Sequence, residues 1–577
     1  MADSNYWTRR RVGRRSLIRG MVLGGMGLAG AALIGCGGSD ESTGGSTGTP
    51  ATGGGAAAGA PTPVTATGLP KRGGTVTIVA ASDASHLDPA TTFVTTSAAV
   101  WGLVYNRLVT SAYGGDAAPN TINAQPDLAE SWEISDDGLE YIFHLRPGVK
   151  FQNLAPLNGR ELTAEDVKYS FERSATIENA ANSNLWSGVE SFEAVDDKTF
   201  RMTRSAPNAD FFNQMASQYA VVYPRELEAS LETQAIGTGP FVLENWERDR
   251  GFSLSRNPDF YLKGEDGEAL PYLEGFEIAI IPDAAARQAA LRSGTLTLDS
   301  GLAPDDIEGI RRTNPELVVR ANPPGYETNQ HFSVNVSRKP YDDPRVRRGL
   351  SMGIDRDKLG IAYYGSETEY VKAGLIPYPF LKSEPWTAAE LGVYHSQDLA
   401  EAQKLLSAAG VLPLDFDLLF TTNYEWTTDY AQVAAQDWAT IGVNAKLVPM
   451  DYTAFWNIYR TSGEFDAVMS MMGSGPVVDH YAYGFTHSKA SRNYPRINDP
   501  KVDELAIKQR SILDETARQA VIRELFDHVQ DQAYYAWFLG AAHTYVVQDA
   551  RVRNFTGKTL GTHLYLTYEH TATWLDA

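Results

Sequence analysis

One cysteine stands among 577 residues, Cys36, so no disulfide can close within the chain and no zinc site of spaced cysteine pairs can be built. No HExxH occurs. Gly557-Lys558-Thr559 lacks the earlier glycine of a phosphate loop, because Val552 stands there. Of two G-x-S-x-G matches, Gly44–Gly48 lies in a Gly/Ser/Thr tract and Gly349–Gly353 lies inside a helical pattern. Neither has the strand-then-helix setting of a nucleophile elbow. Long apolar runs are missing as well: Met21 to Ile34 is about 14 residues, short of the ~20 that span a bilayer. Basic residues are outnumbered, 50 Lys+Arg against 71 Asp+Glu, and residues 1–35 hold six of those arginines and one of the acids. From Cys36 onward 44 basic residues face 70 acidic ones, a net charge of −26. That balance excludes a surface built to track nucleic-acid phosphates or to hold anionic lipid through a basic face.

The N-terminus has a definite grammar. Arg14-Arg15-Ser16-Leu17-Ile18-Arg19 has the pattern of a twin-arginine export signal, and the short Gly/Ala-rich apolar run after it fits a cleavable signal peptide. Leu33-Ile34-Gly35-Cys36 resembles a bacterial lipobox, which makes Cys36 the expected lipidation site. Residues 37–70 contain almost nothing that could enter a core, so they read as a flexible tether with an r.m.s. reach of about 30–35 Å. The remainder exceeds one ordinary core and should divide into lobes.

Local patterns supply elements. Thr75–Ala80 alternates and is β-branched, which predicts a strand followed by a loop at 81–89; a helix is expected over 97–108. Trp132 and Ile134, the turn Asp136-Asp137-Gly138, and then Tyr141, Phe143 and Leu145 predict a hairpin with one apolar face. Thr163-Ala164-Glu165-Asp166 opens a helix, and Asp343-Pro344 opens another. Gly237-Thr238-Gly239-Pro240-Phe241 reads as a stiff stretch of special backbone angles leading into a strand. Strands at 415–420 and 445–448 around a helix at 429–441 predict a β-α-β unit and a parallel sheet. Asp479, His480 and His487 are the best metal candidates, but no third ligand has a convincing spacing, and no metal or other cofactor is expected.

PDLAESWEISDDGLEYIFHLRPGVKF, running on into LTAEDVKYSFER, resembles bacterial extracellular solute-binding proteins of the oligopeptide, dipeptide and nickel class, the family 5 receptors of ABC importers. GTGPFVLENWERDRGFSLSRNPDFY, PYLEGFEIAII, DDPRVRRGLSMGIDRDKL, EAQKLLSAAG and IGVNAKLVPMDYTAFW follow in the order the family has them. The resemblance implies an α/β fold of the periplasmic-binding-protein type II, two hinged lobes with an extra domain on lobe one. Mapped here, residues 1–35 are the signal peptide and 36–70 the lipidated cysteine and tether. Lobe one takes 71–112, 237–328 and 536–577; its extra domain takes 113–236; lobe two takes 329–535. The hinge falls near 329–335 and 533–539. The implied role is a monomeric, extracytoplasmic, non-enzymatic receptor, held to the membrane by lipid on Cys36. It would close on a small solute (a peptide, oligosaccharide or chelate) and deliver it to ABC permease subunits. A sensor or scavenger of the same fold, or a secreted hydrolase, would be the alternatives.

The resemblance also places ligand contacts. The loop after the first strand supplies Asp83, Ala84 and His86, with Ser85 beside them. By position instead, Asn423, Tyr424 and Trp426 lie in the loop that opens from the end of the 415–420 strand, where such sheets bind ligands, and Trp537 beside the last crossing is a further candidate. Peptide receptors of this class pair the peptide amine with an aspartate in the loop that here reads Met472-Gly473-Ser474-Gly475-Pro476. Ser474 stands at or near that position with Gly475 beside it, and a serine cannot supply the charge.

Overall fold

A computed structural model describes residues 69–576 apart from 81, 93, 112–123, 301, 303, 323–329, 382–383, 474–476, 542–543 and 556–569. Arg14, Arg15, Cys36, Ser474 and Gly475 therefore lie outside the described residues. Two large sheets dominate. The first runs Phe241–Glu247, Gly251–Arg256, Gly275–Ile280, Thr75–Ala80, Leu298–Asp299, Thr544–Gln548, Val318–Asn322. Thr75–Ala80 pairs in parallel with Gly275–Ile280 along its whole length, Ile78 opposite Ile278. The second runs Val443–Met450, Leu414–Thr421, Ala467–Met471, Gln330–Val334, Tyr535–Trp537. Its first two strands are parallel, Leu418 opposite Leu447, and helix Glu425–Ala439 joins them, so the predicted β-α-β unit is present.

The hydrophobic residues gather around these sheets in two large clusters. One takes residues from Phe332 to Leu539. The other takes residues from Val76 to Leu298 and returns for Val546, Val552 and Phe555. The second of these cores also serves a four-stranded antiparallel sheet, Ala129–Ile134, Glu140–Leu145, Thr199–Arg204, Val189–Asp196. There the alternation holds as read: Trp132 faces Phe143 and Ile134 faces Tyr141, while Tyr141, Phe143 and Leu145 are buried. Helix Ala164–Thr176 lies on that sheet, with Phe171 packed edge-on to Phe200 at 5.6 Å. The Asp166 carboxylate accepts the Thr163 amide at 3.0 Å, which satisfies one free donor at the helix start.

Two local readings change. The first helix ends at Val104 rather than 108, because Asn106–Arg107 leaves to pair with Val221–Val222. The Gly237-Thr238-Gly239 stretch does not use positive φ; close approach is its reason. A Cβ on Gly239 would stand 2.5 Å from the Val104 carbonyl carbon, and one on Gly237 would run into the Val104 oxygen. The Gly239 amide donates to that oxygen at 2.8 Å, and Thr238 Oγ1 donates to Asn106 Oδ1 at 3.0 Å. The glycines thus seat the strand Phe241–Glu247 against the end of helix Thr95–Val104. Gly239→Ala is expected to lower stability by about 1–3 kcal/mol through overpacking, read as a lower urea midpoint at unchanged m-value.

Candidate functional site

The loop after Thr75–Ala80 ties itself down. Asp83 accepts the indole N–H of Trp246 at 3.0 Å and the Asp249 amide at 3.0 Å, besides the Ala84 amide at 2.8 Å. Arg248 lies 3.7 Å from the centre of the Trp246 ring and donates to the Ala84 carbonyl at 2.8 Å. Ala84 is buried; Ser85 is exposed; His86 is half-buried, its Nδ1 accepting the Asp88 amide at 3.3 Å. Asp83 and Ala84 thus give their polar groups to the hairpin 246–249, and Ser85 and His86 remain nearer solvent. Beside that hairpin a cavity of about 540 Å³ is lined by Leu154, Gln234, Ile236, Leu243, Trp246 and Arg248.

At the end of Leu414–Thr421 the other candidates meet an aromatic wall. Asn423 is exposed, and its Oδ1 accepts Thr421 Oγ1 at 3.1 Å. Trp426 belongs to the first turn of helix Glu425–Ala439 rather than to a loop, and only 5% of it is exposed. Tyr424 stacks parallel to it at 6.5 Å and meets Tyr452 edge-on at 6.0 Å. Tyr452 in turn meets Trp456, over whose ring Arg460 sits at 3.8 Å. Burial, and then the neighbouring Tyr452, push the Tyr424 phenol up, so it stays a neutral donor.

Trp537 is buried deeper. It stacks on Tyr535 at 4.7 Å and meets His331 edge-on at 5.5 Å. His331 Nε2 and Ser333 Oγ both reach the Tyr459 hydroxyl, at 2.9 and 3.0 Å. The strand carrying Trp537 pairs directly with the one carrying His331, and Arg356 donates to the Trp537 carbonyl at 2.6 Å. Burial pulls the Arg356 guanidinium down to about 9.

Gly473 and helix Val478–Ala482 flank the loop 474–476. His480 donates from Nε2 to the Gly473 carbonyl at 2.8 Å and accepts from Arg492 Nη1 at Nδ1, 2.7 Å away. Burial, with Arg492 adding to it, pushes His480 down to about 3, which matches a ring that must accept on one nitrogen. Asp479 goes elsewhere: Gln509 donates to it at 2.7 Å and Arg510 at 3.1 Å. His487 Nδ1 accepts the Lys489 amide at 3.0 Å. The three metal candidates therefore serve three different partners. Ser351 of the G-x-S-x-G match is equally committed, donating to the Tyr394 carbonyl at 2.7 Å and accepting from Arg356 at 2.8 Å.

The two cores are clasped by charge. Asp210, beside Phe211 of the first core, takes a bidentate pair from Arg518 on helix Glu515–Asp531 of the other, at 2.9 and 2.6 Å. Their side chains are 1% and 6% exposed. Gln509 accepts from Arg518 at 3.0 Å, Asp210 accepts the Asp479 amide at 3.0 Å, and the Ala209 amide donates to the Arg510 carbonyl at 2.9 Å. Burial, opposed by Arg510 and aided by Asp210, pushes Asp479 up to about 6. No sequence pattern singles out Asp210 and Arg518, which stand 308 residues apart, nor Arg492.

Comparison with known proteins gives the frame. A model of the bacterial extracellular solute-binding proteins, family 5, middle part, matches residues 123–493, more than half of the chain. Di/tripeptide-binding protein 2 of Pseudomonas aeruginosa is 28% identical over 521 residues, which cover 83% of this chain and 94% of that protein. Heme-binding protein A of Haemophilus influenzae is 28% identical over 465 residues, 74% of this chain and 80% of that one. The solved structure of HbpA2 from Haemophilus parasuis superposes with a TM-score of 0.73 at 26% identity, covering 87% of this chain and 100% of that chain. The fold is that of the type II periplasmic binding proteins, and the chain belongs to the bacterial extracellular solute-binding proteins, family 5.

Proposed function

We propose that the chain is the lipid-anchored extracytoplasmic receptor of an ABC importer, which captures a small solute of the peptide class by closure of two lobes and hands it to a membrane permease. The core around the 75–80 strand would be lobe one, with 113–236 as its extra domain; the core around the 414–421 strand would be lobe two. The crossings near 329–335 and 533–539 would carry the hinge. Asp83, Ala84, His86, Asn423, Tyr424, Trp426, Ser474, Gly475 and Trp537 are the contact surface this reading assigns. The peptide class comes from relatives such as the di/tripeptide-binding protein.

The observation that carries the reading is the Asp210–Arg518 pair. Two cores, each with its own sheet, meet through a dry bidentate ion pair flanked by backbone hydrogen bonds. A permanent interface gains little from such a pair, since matched apolar side chains do as well or better. A reversible one has a use for it: on opening, both charges return to water, and closure is favoured only when a solute adds contacts with both lobes. Leu33-Ile34-Gly35-Cys36 and the tether would keep the receptor near its permease while leaving it free to turn.

The direct test is to release and identify co-purified solute by native mass spectrometry and then to screen peptides of two to five residues by thermal shift. A peptide at 100 times its Kd should add about 2.7 kcal/mol of stability; an unmoved melting temperature across the panel would remove the peptide class. Arg518→Gln leaves Asp210 dry and unpaired in the closed form only. Solute affinity should fall roughly 30-fold or more, with small-angle scattering showing the variant wider than the wild type at saturating solute. Equal affinity would show that the pair does not report closure. Cys36→Ser should move the protein from the membrane to the soluble fraction; equal retention on membranes would end the lipid assignment.

A further inference from the structure

Arg492 is a cation that the protein orients without neutralising. Its Nη1 donates to His480 Nδ1 at 2.7 Å, and His480 is fixed in turn by the Gly473 carbonyl, 2.8 Å from Nε2. Among the described residues no carboxylate lies within ion-pair distance of it. The nearest acid in sequence, Asp479, is taken by Gln509 and Arg510. A second cation, Arg460, acts on it from the aromatic wall, lying over Trp456 at 3.8 Å and 5.7 Å from the centre of the Tyr494 ring, also with no acid partner among the described residues. Arg496, close by in sequence, is different: its guanidinium donates to the carbonyls of Asn493, Arg460 and Thr461 and so closes the turn 457–462. Around Arg492 stand the rings of Phe485, Tyr481 and Tyr494, with the phenol of Tyr219 contributing from the first core's side. Arg492 itself is half-buried and Arg460 exposed, and a half-buried charge beside rings with no counter-ion among the described residues is unusual in a chain whose mature part carries −26.

We propose that Arg492, positioned by His480 and reinforced by Arg460, receives a carboxylate of the bound solute on the side of Gly473. This rests on the receptor reading above and adds the polarity of the guest. Family peptide receptors bring an aspartate to this loop for an amine; here the loop has Ser474, and the side chain anchored to its Gly473 end is a neutral imidazole that leads to an arginine. The field at this end of the site is therefore positive, and it selects an acid end rather than an amino end. A neutral acceptor is what such a device requires. An aspartate at position 480 would orient the guanidinium equally well but would cancel its charge. Of the five guanidinium N–H donors one goes to His480, and among the described residues the others have no hydrogen-bond partner, which leaves them to bind both oxygens of a carboxylate.

The test uses full-length mature protein, stripped of co-purified solute by unfolding and refolding, with two probe pairs. The first is Ala-Phe-Ala as the free acid and as the C-terminal amide, measured by calorimetry. The free acid should bind the wild type roughly 10- to 100-fold tighter than the amide. Arg492→Gln should bind the two alike, and Arg492→Lys should keep part of the preference, which separates loss of charge from loss of fold. Equal binding of acid and amide to the wild type would overturn the proposal. The second pair, benzoate and benzamide at millimolar concentration, is followed on the His480 ring nitrogens by NMR. Benzoate alone should shift them in the wild type, and neither should in Arg492→Gln. If the tripeptide fails in both forms while benzoate still shifts His480, the peptide class falls and the carboxylate site stands. If benzoate leaves His480 unmoved, the site itself is refuted.

Discussion

A carboxylate and a guanidinium that are both dry, Asp210 and Arg518, set the terms for everything the two cores can do together. Charges removed from water are costly unless they meet in good geometry, and this pair meets bidentately, with Gln509 and the Asp479 amide occupying further hydrogen-bond positions. The net gain is small by nature. That would suit the proposed reversible closure, because an apolar seam of similar extent would hold shut without a guest. It also makes the seam exacting. The pair, Gln509 and the Ala209 amide fall into place together, so a partly closed molecule gains little.

The ladder between Gln330–Val334 and Tyr535–Trp537 is the second constraint. His331 stands opposite Trp537 and Ser333 opposite Tyr535, and Phe538 donates back to the Gln330 carbonyl at 2.9 Å. Arg356 fastens the Trp537 carbonyl to the body of the second core. Two strands held to each other in one sheet would move as one piece with that sheet, so a hinge beside them would lie at their outer ends. A rotation between cores would then be shared by both chains at the ladder's ends, which favours one axis over a general loosening.

Much of this framework is legible in the residues because its causes are local. Tyr141, Phe143 and Leu145 alternate, and a strand with one buried face must alternate. Asp343 followed by Pro344 starts a helix, and the Asp343 side chain accepts the Arg345 amide at 2.8 Å. Where the cause is a neighbour distant in sequence, the pattern misleads or is silent. Gly237 and Gly239 look like turn glycines, but they are there because Val104 comes too close for a side chain. Trp426 looks like a loop residue because Tyr424, at the N-cap, offers no side-chain cap, and the structure makes Trp426 the second residue of a helix. Asp210 and Arg518 are ordinary acid and base until the fold brings them together. Arg492 carries no motif at all, since the telling fact about it is that no carboxylate among the described residues pairs with it.

That missing partner bears on how an acidic protein can attract an acidic guest. A mature charge of −26 repels anions at long range, but salt screens that field within about 8 Å at physiological ionic strength. Close to Arg492 the balance is set by the nearest charges, and there half-buried Arg492 and exposed Arg460 stand without acids among the described residues. On the proposal above, the overall charge would keep the protein soluble, while the local charge would decide which end of a solute is read. The rings of Tyr424, Trp426, Tyr452 and Trp456 present electron-rich faces, over one of which Arg460 already sits, and they tolerate variety in side-chain shape. A site with one exacting pole and one permissive wall would recognise a class of solutes by a shared terminal group and accept variety in the rest.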